Sequence, residues 1–222
     1  KSMLFVRAPE ESHLEHRICT FDSIRYYALE KLQAEGDVSE AEQRQAFYFL
    51  NWLQDQNALH LSGNLSMALE LARQEVDNLQ VAFERLVSIQ PEHALILSEE
   101  LSSLIMYEGW FDTGLAMAER LDSEFTRLDK AHQSRAYSLR SRYLRELRRY
   151  PEARLDLERA LEHLPADADA EVRQTQWLQN ARLYMLENDY EAMEPWPEKI
   201  ESQPRVVAGL KAKIHTLRAE TG

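Results

Sequence analysis

The chain has a single cysteine, Cys19, in 222 residues. A lone thiol cannot bridge within its own chain, so no disulfide framework holds this fold. That fits a reducing compartment and a cytoplasmic location. Glycine (6) and proline (7) are scarce too, as expected where long helices fill the chain, because both residues interrupt helices. No apolar run reaches the roughly 18–20 residues of a membrane span, and no signal-peptide pattern opens the sequence. Basic charge is also in short supply. Lys and Arg number 26 against 38 Asp and Glu, a formal net charge of −12. Phosphate contacts need a basic surface, so this segment is not expected to touch nucleic acid directly. It also lacks a phosphate-cradling G-x-x-x-x-G-K-[ST], and so is expected neither to bind nor to hydrolyse ATP. The first residue is Lys1 and not Met, which raises the expectation of a piece of a longer protein.

Few residues invite a catalytic reading. His13, Glu15, His16 and Cys19 are close in sequence, but a closed zinc site needs four placed ligands, usually in two pairs, and no second pair is present. No metal and no cofactor is expected, and the cluster reads as the polar loop of a hairpin. Cys19 has no partner base at a telling spacing. Glu99-Glu100 and Asp167 with Asp169 read as solvated carboxylates. No Ser/His/Asp order stands out, so the chain is not expected to be an enzyme.

Taken in order, Leu4-Phe5-Val6 and Ile18-Cys19-Thr20-Phe21 are short β-favouring runs around a polar connector, a hairpin with a long loop. Asp22 or Ser23 can cap a helix carrying Ile24, Tyr27, Ala28 and Leu32, ended by Gly36. Ser39 and Glu42 have the spacing of a capping box for a second helix running to about His60. A third helix is expected over roughly Ser66 to Ser88, with Leu69, Ala72, Val76, Leu79, Phe83 and Leu86 on one stripe. Pro91 opens a fourth, which reaches Tyr107 before Gly109. Phe111 to about Phe125 forms the next, Asp129 begins a central pair, and a helix follows from about Glu171 to Glu187. Pro195 and Pro197 damage its partner, and Pro204 opens a last helix with Val206, Leu210, Ile214 and Leu217.

Trp110, Tyr150 and Tyr190 fall forty residues apart, and Leu115 with Leu155, Met117 with Leu157 and Leu121 with Leu161 keep that register. Between Ala131 and Pro165, Tyr137, Leu144, Tyr150, Ala153 and Ala160 sit where a helix–turn–helix repeat wants its bulky and small residues. This copy resembles a tetratricopeptide repeat (TPR), whose unit is about 34 residues, with HEAT-like pairs of about 40–47 as the other architecture. The expected fold is therefore all-α: a TPR-like right-handed α-solenoid (an α-α superhelix) over 22–222, behind a short β-hairpin over 1–21.

Ile24, Arg25, Tyr27, Ala28, Leu29 and Leu32 match a pattern close to I-R-x-Y-A-L-x-x-L. Glu75, Asp77, Asn78, Leu79 and Ala82 match E-x-D-N-L-x-x-A. In this order they resemble the helix leaving the winged-helix domain, and the start of the helical-repeat region, in AfsR-like and MalT-like STAND ATPase transcriptional regulators of bacteria. The resemblance covers about the first ninety residues. It implies that 1–21 is the remnant wing of a winged helix. It further implies nucleotide-binding and output domains upstream, and a non-catalytic sensor or protein-interaction role for this chain.

One basic feature interrupts the acidic background. Arg135, Ser138, Arg142, Arg145 and Arg149 recur at spacings of three and four, which puts them on one helix face, and Arg182 joins them from the next copy. Arginine forks suit carboxylate or phosphate. One reading is a concave groove for a protein or peptide partner, a small anionic ligand, or upstream domains of the same parent chain. The other is a solvated face balanced by Glu146, Glu152 and Asp156. At the level of function, the alternatives are a plain scaffold without switching and a helical enzyme with an unrecognised site.

Overall fold

The computed structural model describes residues 4–7, 17–61, 65–168, 170–187, 189, 191, 195 and 196. These residues are almost all helical, and they fall into two compact units, Lys1–Ile89 and Gln90–Gly222. No helix among them is long and apolar enough to cross a membrane. Among the described residues there is also no group of three or more His, Cys, Asp or Glu placed to hold a metal. His13, Glu15 and His16, the Cys19 side chain, Tyr190, Pro197 and the helix expected after Pro204 lie outside what is described.

In the first unit, β1 (Leu4–Arg7) pairs antiparallel with β2 (Arg17–Thr20), Leu4 opposite Thr20 and Val6 opposite Ile18. Helix α1 (Asp22–Glu35) ends at Gly36, whose φ of +84° places it in the left-handed region that glycine enters without penalty. This helix has no buried residue, and Tyr26 and Tyr27 are more than half exposed. Helix α2 (Val38–Leu61) packs on both α3 (Leu65–Gln74) and α4 (Val76–Ile89). Ala46, Leu50 and Leu53 are buried on α2, and Leu79, Phe83 and Leu86 on α4.

Two sequence expectations change here. The single helix expected from Ser66 to Ser88 is broken at Glu75, and both halves pack against α2. Glu75 donates its N–H to the carbonyl of Ala72 at 3.2 Å and accepts from the amide of Leu79 at 2.9 Å, so it closes one helix and opens the next. The Ser39/Glu42 capping box does not form. Helix α2 begins two residues earlier, with the carbonyl of Asp37 accepting from Ala41, and Glu42 instead accepts from Arg85 on α4 at 3.1 Å.

The second unit runs α5 (Pro91–Glu108), α6 (Phe111–Arg120), a 3-10 segment (Leu121–Arg127), α7 (Lys130–Glu146), α8 (Tyr150–His163) and α9 (Ala170–Leu186). Each helix packs on the next in the chain, and α5 also reaches α7. The buried side chains follow that order: Leu101, Leu104 and Ile105, then Leu115 and Ala118, then Leu139, Tyr143 and Leu144, then Ala153, Leu157 and Ala160. The helix expected to reach Phe125 tightens to 3-10 geometry after Arg120. Pro91 takes the first turn of α5, where its missing N–H costs nothing. Asp129 caps α7 by accepting the amide of His132 at 2.8 Å.

A repeated turn links these helices, and its phase corrects the forty-residue register. The amide of Trp110 donates to Ile105 at 3.0 Å, and that of Arg149 to Leu144 at 2.8 Å. The amide of Gly114 then donates to Trp110, and that of Ala153 to Arg149, both at 3.0 Å. These bonds are thirty-nine residues apart, so Trp110 corresponds to Arg149 and Phe111 to Tyr150. Leu121 and Ala160 then coincide, both fully buried, whereas Leu155, once paired with the buried Leu115, is 46% exposed. The adjacent aromatics Trp110 and Phe111 made the register ambiguous by one. The next turn repeats the bond from Asp189 to Tyr184 at 2.9 Å, now at an interval of forty.

The left-handed residue of this turn is Gly109 after α5 but Arg148 after α7, at φ +59° the one non-glycine at positive φ among the described residues. Gly114 permits a close approach. A β-carbon there would sit 2.6 Å from Cε1 of Tyr143, inside contact distance.

Candidate functional site

Helices α5, α7 and α9, alternate in chain order, wall a cleft of about 500 Å³. Glu99 and Ser102 come from α5, Arg135, Ser138 and Arg142 from α7, and Thr175, Gln176 and Gln179 from α9. Helical spacing explains why each helix presents several groups. Glu99 and Ser102 are three apart, as are Arg135 and Ser138, while Ser138 and Arg142 are four apart.

The arginine stripe is split by its partners. Arg135 forks onto Glu99, with Nε donating to Oε1 at 3.0 Å and Nη2 donating to Oε2. That hydrogen bonding raises the pKa of Arg135 and locks its charge. Arg142 donates from Nη1 to the Ser102 hydroxyl at 2.9 Å. No carboxylate among the described residues lies within ion-pair distance of it. Arg145 borders the cleft. Its Nη1 donates to Gln179 Oε1, and its Nη2 pairs with Glu146 at 2.9 Å. Arg149 does not take part: it forks onto Glu152 on the surface, with Nε to Oε1 at 2.7 Å, which raises the arginine's pKa and lowers the carboxyl's. Arg182 is exposed and away from the cleft. Glu146 and Glu152 thus balance the C-terminal part of the stripe, while its N-terminal part lines a cavity.

Asp156, the third expected counter-charge, serves an arginine the sequence did not mark. It is 3% exposed and accepts a two-pronged contact from Arg140, Nε at 2.6 Å and Nη2 at 2.7 Å. Hydrogen bonding to Asp156 raises the pKa of Arg140, and Asp122 lies on the other side of the guanidinium. This ion pair fastens α7 to α8 away from the cleft.

Gln176 gives the cleft its orientation. It is 4% exposed, and its Nε2 donates to Ser134 at 2.9 Å and to Ser138 at 3.2 Å. Ser134 spends its own proton on the carbonyl of Ala160 at 2.6 Å. Its oxygen can therefore only accept, which fixes which end of the Gln176 amide faces it. Oε1 of Gln176 is left buried without a donor among the described residues, a cost of about 1–3 kcal/mol. Tyr143, whose ring lies against Gly114 of α6, is buried with its hydroxyl also unpartnered among the described residues, and burial pushes its pKa up.

The α5 and α9 residues were not foreseen. The i, i+3 pair Glu99/Ser102 and the i, i+3 and i, i+4 set Thr175, Gln176 and Gln179 carry the helical signal, but nothing in their order along the chain says that they face Arg142. A scan against family models finds none that matches the chain, and a search of curated proteins finds no match either.

Proposed function

We propose that the chain is a non-catalytic sensor or protein-interaction region of a multidomain bacterial signalling ATPase that regulates transcription, and that it binds its ligand or partner in the α5/α7/α9 cleft. The observation that carries this reading is a cavity walled by every second helix. Successive helical pairs stacked in register, as in a TPR-like right-handed solenoid, put their first helices side by side on a concave face and make such a wall. The recurring turn at Gly109 and Arg148 supports the same arrangement. The ionisable groups of the cleft favour binding over chemistry, since Glu99 is held by hydrogen bonds from Arg135.

The N-terminal likeness supplies the regulatory half. Ile24, Tyr27 and Leu29, which carry the I-R-x-Y-A-L resemblance, lie on α1, where none is buried. That leaves them available to an upstream winged helix. A ligand would act by binding one arrangement of the repeat region and its upstream domains more tightly than another, since only differential affinity moves such an equilibrium. The parent gene tests this half of the proposal. A P-loop motif and a winged helix encoded upstream of Lys1 in the same reading frame are expected, and a frame with neither refutes it.

A further inference from the structure

We infer that the cleft takes a carboxylate ligand, held by the Arg142 guanidinium together with the hydroxyl of Ser138 and the amide nitrogen of Gln179. This inference rests on the cleft being the binding site and names the chemistry of what enters it. It follows from asking which hydrogen-bonding groups of the wall are already used. The acceptors a ligand could reach are almost all spent: Oε1 of Gln176 is unpaired among the described residues but buried, and the Thr175 hydroxyl can donate as well as accept. Both oxygens of Glu99 face Arg135, the Oγ of Ser102 accepts from Arg142, the Oγ of Ser138 accepts from Gln176, and Oε1 of Gln179 accepts from Arg145.

The donors remain. An arginine has five N–H groups, and Arg142 has one hydrogen-bond partner among the described residues. Ser138 keeps its proton, because Gln176 donates to it. Gln179 keeps its Nε2 hydrogens, because Arg145, which can only donate, occupies Oε1. A wall of free donors selects a ligand of acceptors, and unpaired donors disfavour one that brings donors of its own.

Charge narrows the class further. Glu99 and Arg135 cancel, leaving the single positive charge of Arg142 in a chain of net charge −12. One carboxylate matches it. A phosphate monoester carries about −1.5 to −2 at neutral pH and would leave excess negative charge in an acidic protein. A volume of about 500 Å³ suits a small organic acid or the end of a peptide.

The test titrates the whole chain, by calorimetry, with four probes. These are glutarate, an uncharged hexapeptide with a free C-terminal carboxylate, the same peptide amidated, and an amidated hexapeptide with internal glutamates. Binding of one or more carboxylate probes, weakening with salt, is expected, and which of them binds identifies the source of the carboxylate. Arg142→Gln should lower that affinity roughly ten- to hundred-fold, the range of a charge-assisted hydrogen bond. Ser138→Ala should lower it several-fold, and Val172→Trp, placed on an exposed cleft residue, should abolish it. Failure of every carboxylate probe, or equal binding by the Arg142→Gln variant, overturns the ligand class. If the uncharged amide binds and Val172→Trp abolishes its binding, the ligand class falls while the cleft stands. If Val172→Trp leaves all binding intact, the cleft itself is refuted.

Discussion

Replacing Arg140 with methionine is the sharpest test of how the second unit holds together. The variant keeps a long apolar stem but strips Asp156 of both short hydrogen bonds while leaving its carboxylate 3% exposed between α7 and α8. Removing one partner of a buried pair costs about 3–5 kcal/mol, because an uncompensated charge stays behind. Arg159, 3.7 Å from Asp156 with a 41% exposed side chain, remains and offsets part of the loss, which puts the expectation at the lower end, about 3 kcal/mol. In a chain this size each kcal/mol moves the melting temperature by about 2–4 °C. Thermal unfolding followed by circular dichroism should therefore show a drop of roughly 6–12 °C. The double variant Arg140→Met/Asp156→Leu removes the stranded charge as well and should recover most of that loss. A single variant within about 0.5 kcal/mol of the parent, or a double variant as unstable as the single, would refute this reasoning.

Three other substitutions address single features. Arg148→Gly relieves a left-handed arginine and should raise the urea midpoint by the equivalent of about 1 kcal/mol. Gly114→Ala gains helix propensity but drives a β-carbon into the ring of Tyr143, so a net loss of about 1–3 kcal/mol in chemical denaturation is expected. Asp129→Ala removes the cap of α7 and should cost about 1 kcal/mol at neutral pH. The Asp129 pKa is lowered, first by the hydrogen bond from the His132 amide. The cap's contribution is therefore present above the ordinary aspartate value and lost as pH falls through the lower folded value. Parent and variant should converge in strong acid, and a difference that persists there would show that the charge is not what the cap uses.

Much of this fold could be read from the chain. Pro91 and Asp129 place helix starts where the structure has them, because a helix start is set within one or two turns. Ser39 and Glu42 misled for the opposite reason: their spacing allows a local bond, but Arg85, forty-three residues from Glu42, offers a charge instead. The recurrence of the turn was legible, but its first interval was displaced by one, since Trp110 and Phe111 are both aromatic and only the backbone bond to Ile105 distinguishes them.

The sequence by itself determined that α7 carries Arg135, Ser138 and Arg142 on one side, because residues three and four apart on a helix are neighbours whatever lies around them. The tertiary structure alone decided which of its arginines keep an unspent charge. Glu99, thirty-six residues from Arg135, answers that arginine, and Arg142 meets only the Ser102 hydroxyl, forty residues away, whereas Glu146 beside Arg145 could be read from the chain. The physical reason is that a side chain's direction follows from bonds along its own helix, whereas its electrostatic partner depends on a distance through space that no spacing in the chain encodes.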